Sequence, residues 1–153
     1  MGFGVVIVGI LLTLALQGGH SSSWSGGGRR VIQAGPGTGD LPYSAGILAG
    51  NTLYVAGTIG EDAANNIVPG GIEAETRQAL ANVAEVLKAA GMSFRDVTSV
   101  TVYITSFDDF ATFNNVYRQV FSTDPPARTT VQVAALIGGA KVELQMIAVK
   151  PHP

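Results

Sequence analysis

VTSVTVYITSFDDFATFNNVY, residues Val97–Tyr117, changes period in its middle. From Ser99 to Thr105, Val100, Val102 and Ile104 alternate with Thr101, Tyr103 and Thr105, the two-residue period of a strand with one covered face. Beyond Ser106 the apolar residues Phe110, Phe113, Tyr117, Val120 and Phe121 recur at helical spacing, which predicts a helix reaching about Phe121. Ser106 followed by Asp109 predicts a capping box at the junction. A strand that runs straight into an amphipathic helix belongs to a fold that mixes the two.

The same alternation extends upstream and downstream. Strands are expected around Val31–Gln33, at Ser44–Leu48 and at Thr52–Gly57, the last two joined by a Gly50-Asn51 turn. Ile72–Ala90 predicts a long helix: Ile72, Ala79, Leu80, Val83, Val86 and Leu87 form its stripe, Glu73 and Arg77 sit four apart, and Gly91 is placed to end it. Further strands follow at Arg128–Ala134 and Lys141–Val149. Two helices among interleaved strands give an α+β domain, with the helices packed on one face of a mixed sheet. No internal repeat is visible.

At 153 residues the chain suffices for one domain with a sizeable core. Its net charge is −2, without a block of like charges, which argues against a nucleic-acid partner or an anionic membrane held by a basic surface. There is no cysteine, so disulfides and thiolate chemistry are excluded. The two histidines, His20 and His152, lie in the flanks, which argues against serine–histidine catalysis and a histidine-bound metal. Chemistry is left to carboxylates, arginine, tyrosine, amides, hydroxyls, backbone and water.

Residues 1–28 contain no Asp, Glu, Lys or Arg. The apolar run from Gly2 to Leu16 falls short of the roughly 20 residues of a spanning helix. Its length suits a secretory signal, yet no basic residue precedes it and no clean small-x-small cleavage site follows. It reads either as an export or tethering segment, with membrane contact only if retained, or as a non-native extension. HSSSWSGGG then reads as a flexible linker. The domain is expected over residues 29–153. AGPGTGD, from Ala34, lacks the Lys-Ser/Thr ending of a phosphate loop and reads as a turn.

Three polar residues stand in awkward places. Glu143 in KVELQMIAVK shares a strand face with Ile147 and Val149, where an ionised group needs a partner or a task. Asn114 lies on the stripe of the second helix, either as a core amide satisfied by backbone or as an amide reaching a ligand. Arg128 emerges after Pro125-Pro126, on a face with Thr130 and Gln132 and opposite Val131, Val133 and Ala135. It is either a solvated arginine or one suited to gripping a carboxylate with two parallel hydrogen bonds. A tight hairpin of the last two strands near Gly138 would put Glu143 opposite Gln132, about 13 Å along the strand from Arg128 and too far to pair with it. Two separate polar patches would then serve one cleft, including one shared with another subunit.

NTLYVAGTIG, IVPGGIEAETRQALANVAEVLKAAG, VTSVTVYITSFDDFATFNNVY, PPARTTVQVAAL and KVELQMIAV together resemble the RidA (YjgF-type) reactive-imine deaminase family, from about Leu41 to Val149. The resemblance implies a chorismate-mutase-like fold assembled as a homotrimer with clefts between subunits. It also implies hydrolysis of enamines and imines such as 2-aminoacrylate to 2-oxo acids and ammonia, with no cofactor and no metal, and a cytoplasmic location unless residues 1–28 are a genuine signal. The carboxylate-binding arginine falls on Arg128, the water-orienting glutamate on Glu143, the proline-tyrosine pair on Pro42-Tyr43 and the helix asparagine on Asn114. Ala56-Gly57-Thr58-Ile59-Gly60 departs from the family's Ser-Gly-Gln-Ile-Pro, Thr130 stands where cysteine is frequent, and Ile137-Gly138-Gly139 replaces a Leu-Pro turn.

The expected mechanism follows from an imine carbon that water already attacks unaided. Arg128 would hold the substrate carboxylate, Glu143 would orient water and take its proton, and Tyr43 would close over the ligand. Gly57, Thr58, Asn114 and Thr130 would shape the pocket. Apolar neighbours such as Ile147 would raise the Glu143 carboxyl pKa. The alternative is a non-catalytic trimer that binds small carboxylates or a protein partner in the same cleft. RNA cleavage finds no basic aromatic signature to support it.

Overall fold

A computed structural model of the chain describes residues 28–36 and 41–150. The expectations for the apolar leader, for His20 and His152, and for the second half of AGPGTGD lie outside the described residues. Six strands, β1 (Arg29–Ile32), β2 (Gly46–Ala49), β3 (Thr52–Ile59), β4 (Val97–Ile104), β5 (Ala127–Gln132) and β6 (Val142–Val149), form one sheet in the order β1-β2-β3-β6-β4-β5. Helix α1 (Gly71–Ala89) connects β3 to β4, and helix α2 (Phe110–Val120) connects β4 to β5. The mixed α+β architecture expected from the period changes is therefore present. No helix among the described residues is long and apolar enough to cross a membrane.

The core lies between the helices and one face of the sheet. Val142, Leu144, Met146 and Ala148 are completely buried, as are Leu53 on β3 and Val102 and Ile104 on β4. Against them α1 packs Ala79, Leu80, Val83, Val86 and Leu87, and α2 packs Phe113, Val116 and Tyr117. Burying a side chain of this size is worth about 1.5–3 kcal/mol, so the two stripes hold the helices on that face. Gly91, at φ 70°, ends α1 in the left-handed conformation that glycine adopts at least cost.

At the start of α2 the Ser106 hydroxyl accepts the Asp108 N–H at 3.1 Å. The reciprocal half of the expected capping box is absent, because the Asp109 carboxylate pairs with Lys141 Nζ at 3.2 Å.

The expected hairpin of the last two strands does not form. α2 carries the chain back across the sheet, so β5 lies parallel to β4, as a helical crossover requires. β6 instead enters between β3 and β4, antiparallel to both. Tyr103 pairs with Glu143 on one side and with Val131 on the other, so Glu143 lies in the row of Val131, with β4 between them.

Candidate active site

β3 is irregular where it runs beside the start of β6. Its register with β6 shifts between Val55 and Thr58, a bulge at Ala56-Gly57, and the Thr58 hydroxyl turns back to donate to the Ala56 carbonyl at 2.9 Å. Gly57 has no room for a side chain: a Cβ there would overlap Glu143 Oε1 and come within 2.9 Å of its Cδ. The missing side chain is the space into which the Glu143 carboxylate folds.

The Glu143 carboxylate has no hydrogen-bond or ion-pair partner among the described residues. Burial raises its pKa above the ordinary carboxylate range. The carboxylate borders a cavity of about 1230 Å³ whose walls include Gly57, Thr58, Tyr43, Leu41, Ile137 and Gly138. Glu61 lines the same cavity, with a pKa raised by desolvation and then by the charge of Asp62. Tyr43, half exposed, stands on the loop before β2. No lysine or arginine lines the cavity among the described residues.

Arg128 lies elsewhere. It pairs in register with Val100, which pairs with Met146, and both partners are buried under the helices. Paired residues share a face and successive residues alternate, so Arg128 and Glu143 stand on opposite faces of one sheet. The guanidinium rests against three rings of α2: Tyr117 at 4.7 Å from the centroid, Phe113 at 5.5 Å and Phe110 at 5.7 Å. Such contacts attract a cation to the ring faces. Its N–H groups have no acceptor among the described residues. Beneath it the Tyr117 hydroxyl is buried without a partner among the described residues, and burial pushes its pKa up to about 12 against the lowering effect of Arg128.

The predicted site residues thus fall into two groups. Glu143, Tyr43, Gly57 and Thr58 share the cavity, whereas Arg128 and Thr130 lie on the helix-facing side of β5. Asn114 is half-buried on α2 and makes no side-chain hydrogen bond among the described residues. It is therefore not the core amide satisfied by backbone that one reading allowed.

Sequence reasoning passed over Asn82. It is buried on α1, where Nδ2 donates to the carbonyls of Ile59 at 3.1 Å and Glu61 at 2.9 Å, while Oδ1 accepts from Gln78 at 2.9 Å. This amide fixes the cavity wall between Ile59 and Glu61. The signal was available, because Asn82 lies three residues after Ala79 and so falls on the apolar stripe.

A family model described as Endoribonuclease L-PSP matches residues 38–150. The chain belongs to this family, which is the RidA (YjgF-type) family of the resemblance. Among its relatives is a bovine protein named 2-iminobutanoate/2-iminopropanoate deaminase, 46% identical over 110 residues that cover 71% of this chain and 80% of the relative. The crystal structure of RidA from an Antarctic Psychrobacter aligns with a TM-score of 0.75 at 35% identity, covering 79% of this chain and 99% of that one. The structure of E. coli TdcF with bound serine aligns with the same score and identity, covering 80% and 99%.

Proposed function

We propose that this RidA-family chain is a cofactor-independent hydrolase that deaminates imines of 2-oxo acids, including the 2-iminopropionate formed when 2-aminoacrylate tautomerises. The observation that carries the reading is the unpartnered, half-buried carboxylate of Glu143 over Gly57, facing a cavity large enough for a small substrate. A carboxylate whose pKa is raised by partial burial accepts a proton more readily than an ordinary one. Glu143 orients a water molecule and takes its proton as the oxygen bonds to the imine carbon. It then returns the proton to nitrogen, and the carbinolamine collapses to a 2-oxo acid and ammonia. Tyr43 covers the mouth, while Gly57 and Thr58 form the wall.

Arg128 binds the substrate carboxylate, with Thr130 on the same face of β5, and Asn114 of α2 shapes the pocket. Since Arg128 and Glu143 of one protomer stand on opposite faces, the reading requires Arg128 to come from a neighbouring protomer. A homotrimer with clefts between subunits, in the chorismate-mutase-like arrangement, supplies that geometry. The open sheet face supports such an assembly, because it presents Tyr54 and Val131 together with half-buried Ile147 and Val149. Residues 1–28 are assigned to a leader and linker and residues 29–153 to the domain, an assignment checked by the mass of the mature chain.

The relatives' deaminase names do not favour a non-catalytic binder. The endoribonuclease in the family description finds no support in a chain of net charge −2 without a block of basic residues, since binding a polyphosphate backbone calls for clustered cations. Freshly generated 2-iminopropionate, with ammonia and pyruvate release measured above the uncatalysed rate, tests the activity. Glu143→Gln keeps size and shape and should lower kcat about 10²- to 10⁴-fold. Full activity in that variant would leave Glu143 a structural residue.

A further inference from the structure

Glu75, on the first turns of α1, is 4% exposed and is the only fully buried charged side chain among the described residues. A carboxylate so placed is costly unless it is bonded. Its Oε2 accepts the backbone N–H of Lys141 at 2.6 Å. Lys141 immediately precedes β6, two residues before Glu143, and further bonds converge on it, among them one from the Thr105 hydroxyl to the Lys141 carbonyl at 3.5 Å. Its carbonyl accepts the Thr105 N–H at 3.0 Å, and its ammonium pairs with Asp109 at 3.2 Å. The entrance to β6 is thereby tied to α1, to the end of β4 and to the turn before α2.

Glu75 also meets the chain on the other side of Glu143. Ile59 pairs with Glu143, and the next residue, Gly60, has no room for a Cβ because it would overlap the Glu75 carbonyl and lie 2.6 Å from the Glu75 Cα. One residue of α1 thus sets the end of β3 with its backbone and the start of β6 with its carboxylate. Glu75 itself does not line the cavity.

We infer that Glu75 is a positioning residue for Glu143: through the Lys141 amide it fixes how the Glu143 carboxylate lies over Gly57. The inference rests on the proposed role of Glu143 in proton transfer. A bond that only stabilised the fold would affect heat stability alone. A positioning bond must also affect how Glu143 titrates and turns over, in a cavity whose other titratable linings are Glu61 and Tyr43.

Glu75→Gln keeps an acceptor oxygen of the same reach, whereas Glu75→Met keeps the length and removes the acceptor. Two measurements on the full chain decide the matter: a carbon-13 NMR titration of the Glu143 carboxyl, and kcat and KM for 2-iminopropionate across pH. In Glu75→Met the Glu143 midpoint should move by about half a pH unit or more. In the same variant kcat should fall about ten-fold, with KM within about two-fold of the parent. Glu75→Gln should stay near the parent in both.

A folded Glu75→Met variant with the parental titration and kcat would overturn the inference, as would a Glu75→Gln variant equally impaired. If Glu75→Met does not fold, Glu75→Asp, which draws the carboxylate back by one methylene, takes its place under the same criteria. Should the parent fail to hydrolyse the imine, the deaminase reading falls, and the titration still decides whether Glu75 positions Glu143.

Discussion

The Glu143 region and the Arg128 region use the same sheet in opposite ways. The Glu143 carboxylate has no partner among the described residues, lies in a partly dry recess made by a bulge and a missing side chain, and its environment disfavours ionisation. Arg128 is likewise a charge without side-chain hydrogen-bond partners among the described residues, yet three aromatic faces favour its cation while leaving its guanidinium N–H groups bare. In the proposed reaction one region tunes a proton acceptor, and the other holds a rigid donor fork for an anion. Under the proposed assembly the two halves meet across a subunit boundary, and a neighbouring protomer supplies to each charge the partner that its own chain does not.

The largest effect that would break this comparison is expected from the cation. Arg128→Ala should lower kcat/KM for carboxylate-bearing imines about 10²- to 10³-fold, the loss of two charge-assisted hydrogen bonds, while the assembly stays intact. Unchanged kinetics would detach the aromatic cradle from the active site. Next, Gly57→Ala should cost about 10- to 100-fold in kcat, because the new Cβ occupies the place of the Glu143 carboxylate. A parental kcat in that variant would mean that the recess does not set the carboxylate.

A smaller effect sharpens the role of the rings. Tyr117→Leu removes the face nearest the guanidinium and should raise KM about three- to ten-fold. Tyr117→Phe keeps the ring, removes only the unpartnered hydroxyl, and should leave KM unchanged. Equal effects of the two would assign the loss to the hydroxyl instead.

The smallest effect is one of stability. Folding raises the pKa of Glu143, so between its unfolded and folded values the native state holds more proton and stability falls as pH rises. Glu143→Gln should therefore raise Tm at neutral pH, by about 1–2 °C after discounting for solvent screening. The gain should vanish once pH drops below the ordinary carboxylate range. A gain that persisted unchanged in acid would come from packing and not from charge.

Local pattern accounted for much of the molecule. The α1 stripe from Ile72 to Leu87, the alternation of Val100, Val102 and Ile104, and Gly91 as a helix stop are short-range regularities, and each corresponds to an element or its end. Glu143 and Arg128 were visible as polar residues in awkward company. Glu75 and Asn82 were equally awkward on the α1 stripe but are bracketed by strong apolar neighbours, so the period of the helix absorbed them. Asp109 shows the converse: a residue with the spacing of a cap was taken by a lysine 32 positions away.

What the sequence determined by itself was which residues alternate, which form stripes, and that the chain mixes strands with two helices, because side-chain direction follows from backbone period alone. Only the tertiary structure decided that β6 enters between β3 and β4, that Glu143 folds over Gly57, and that Arg128 faces the other way. Those facts depend on which strands pair and on how a crossover helix returns the chain, and no local period encodes them.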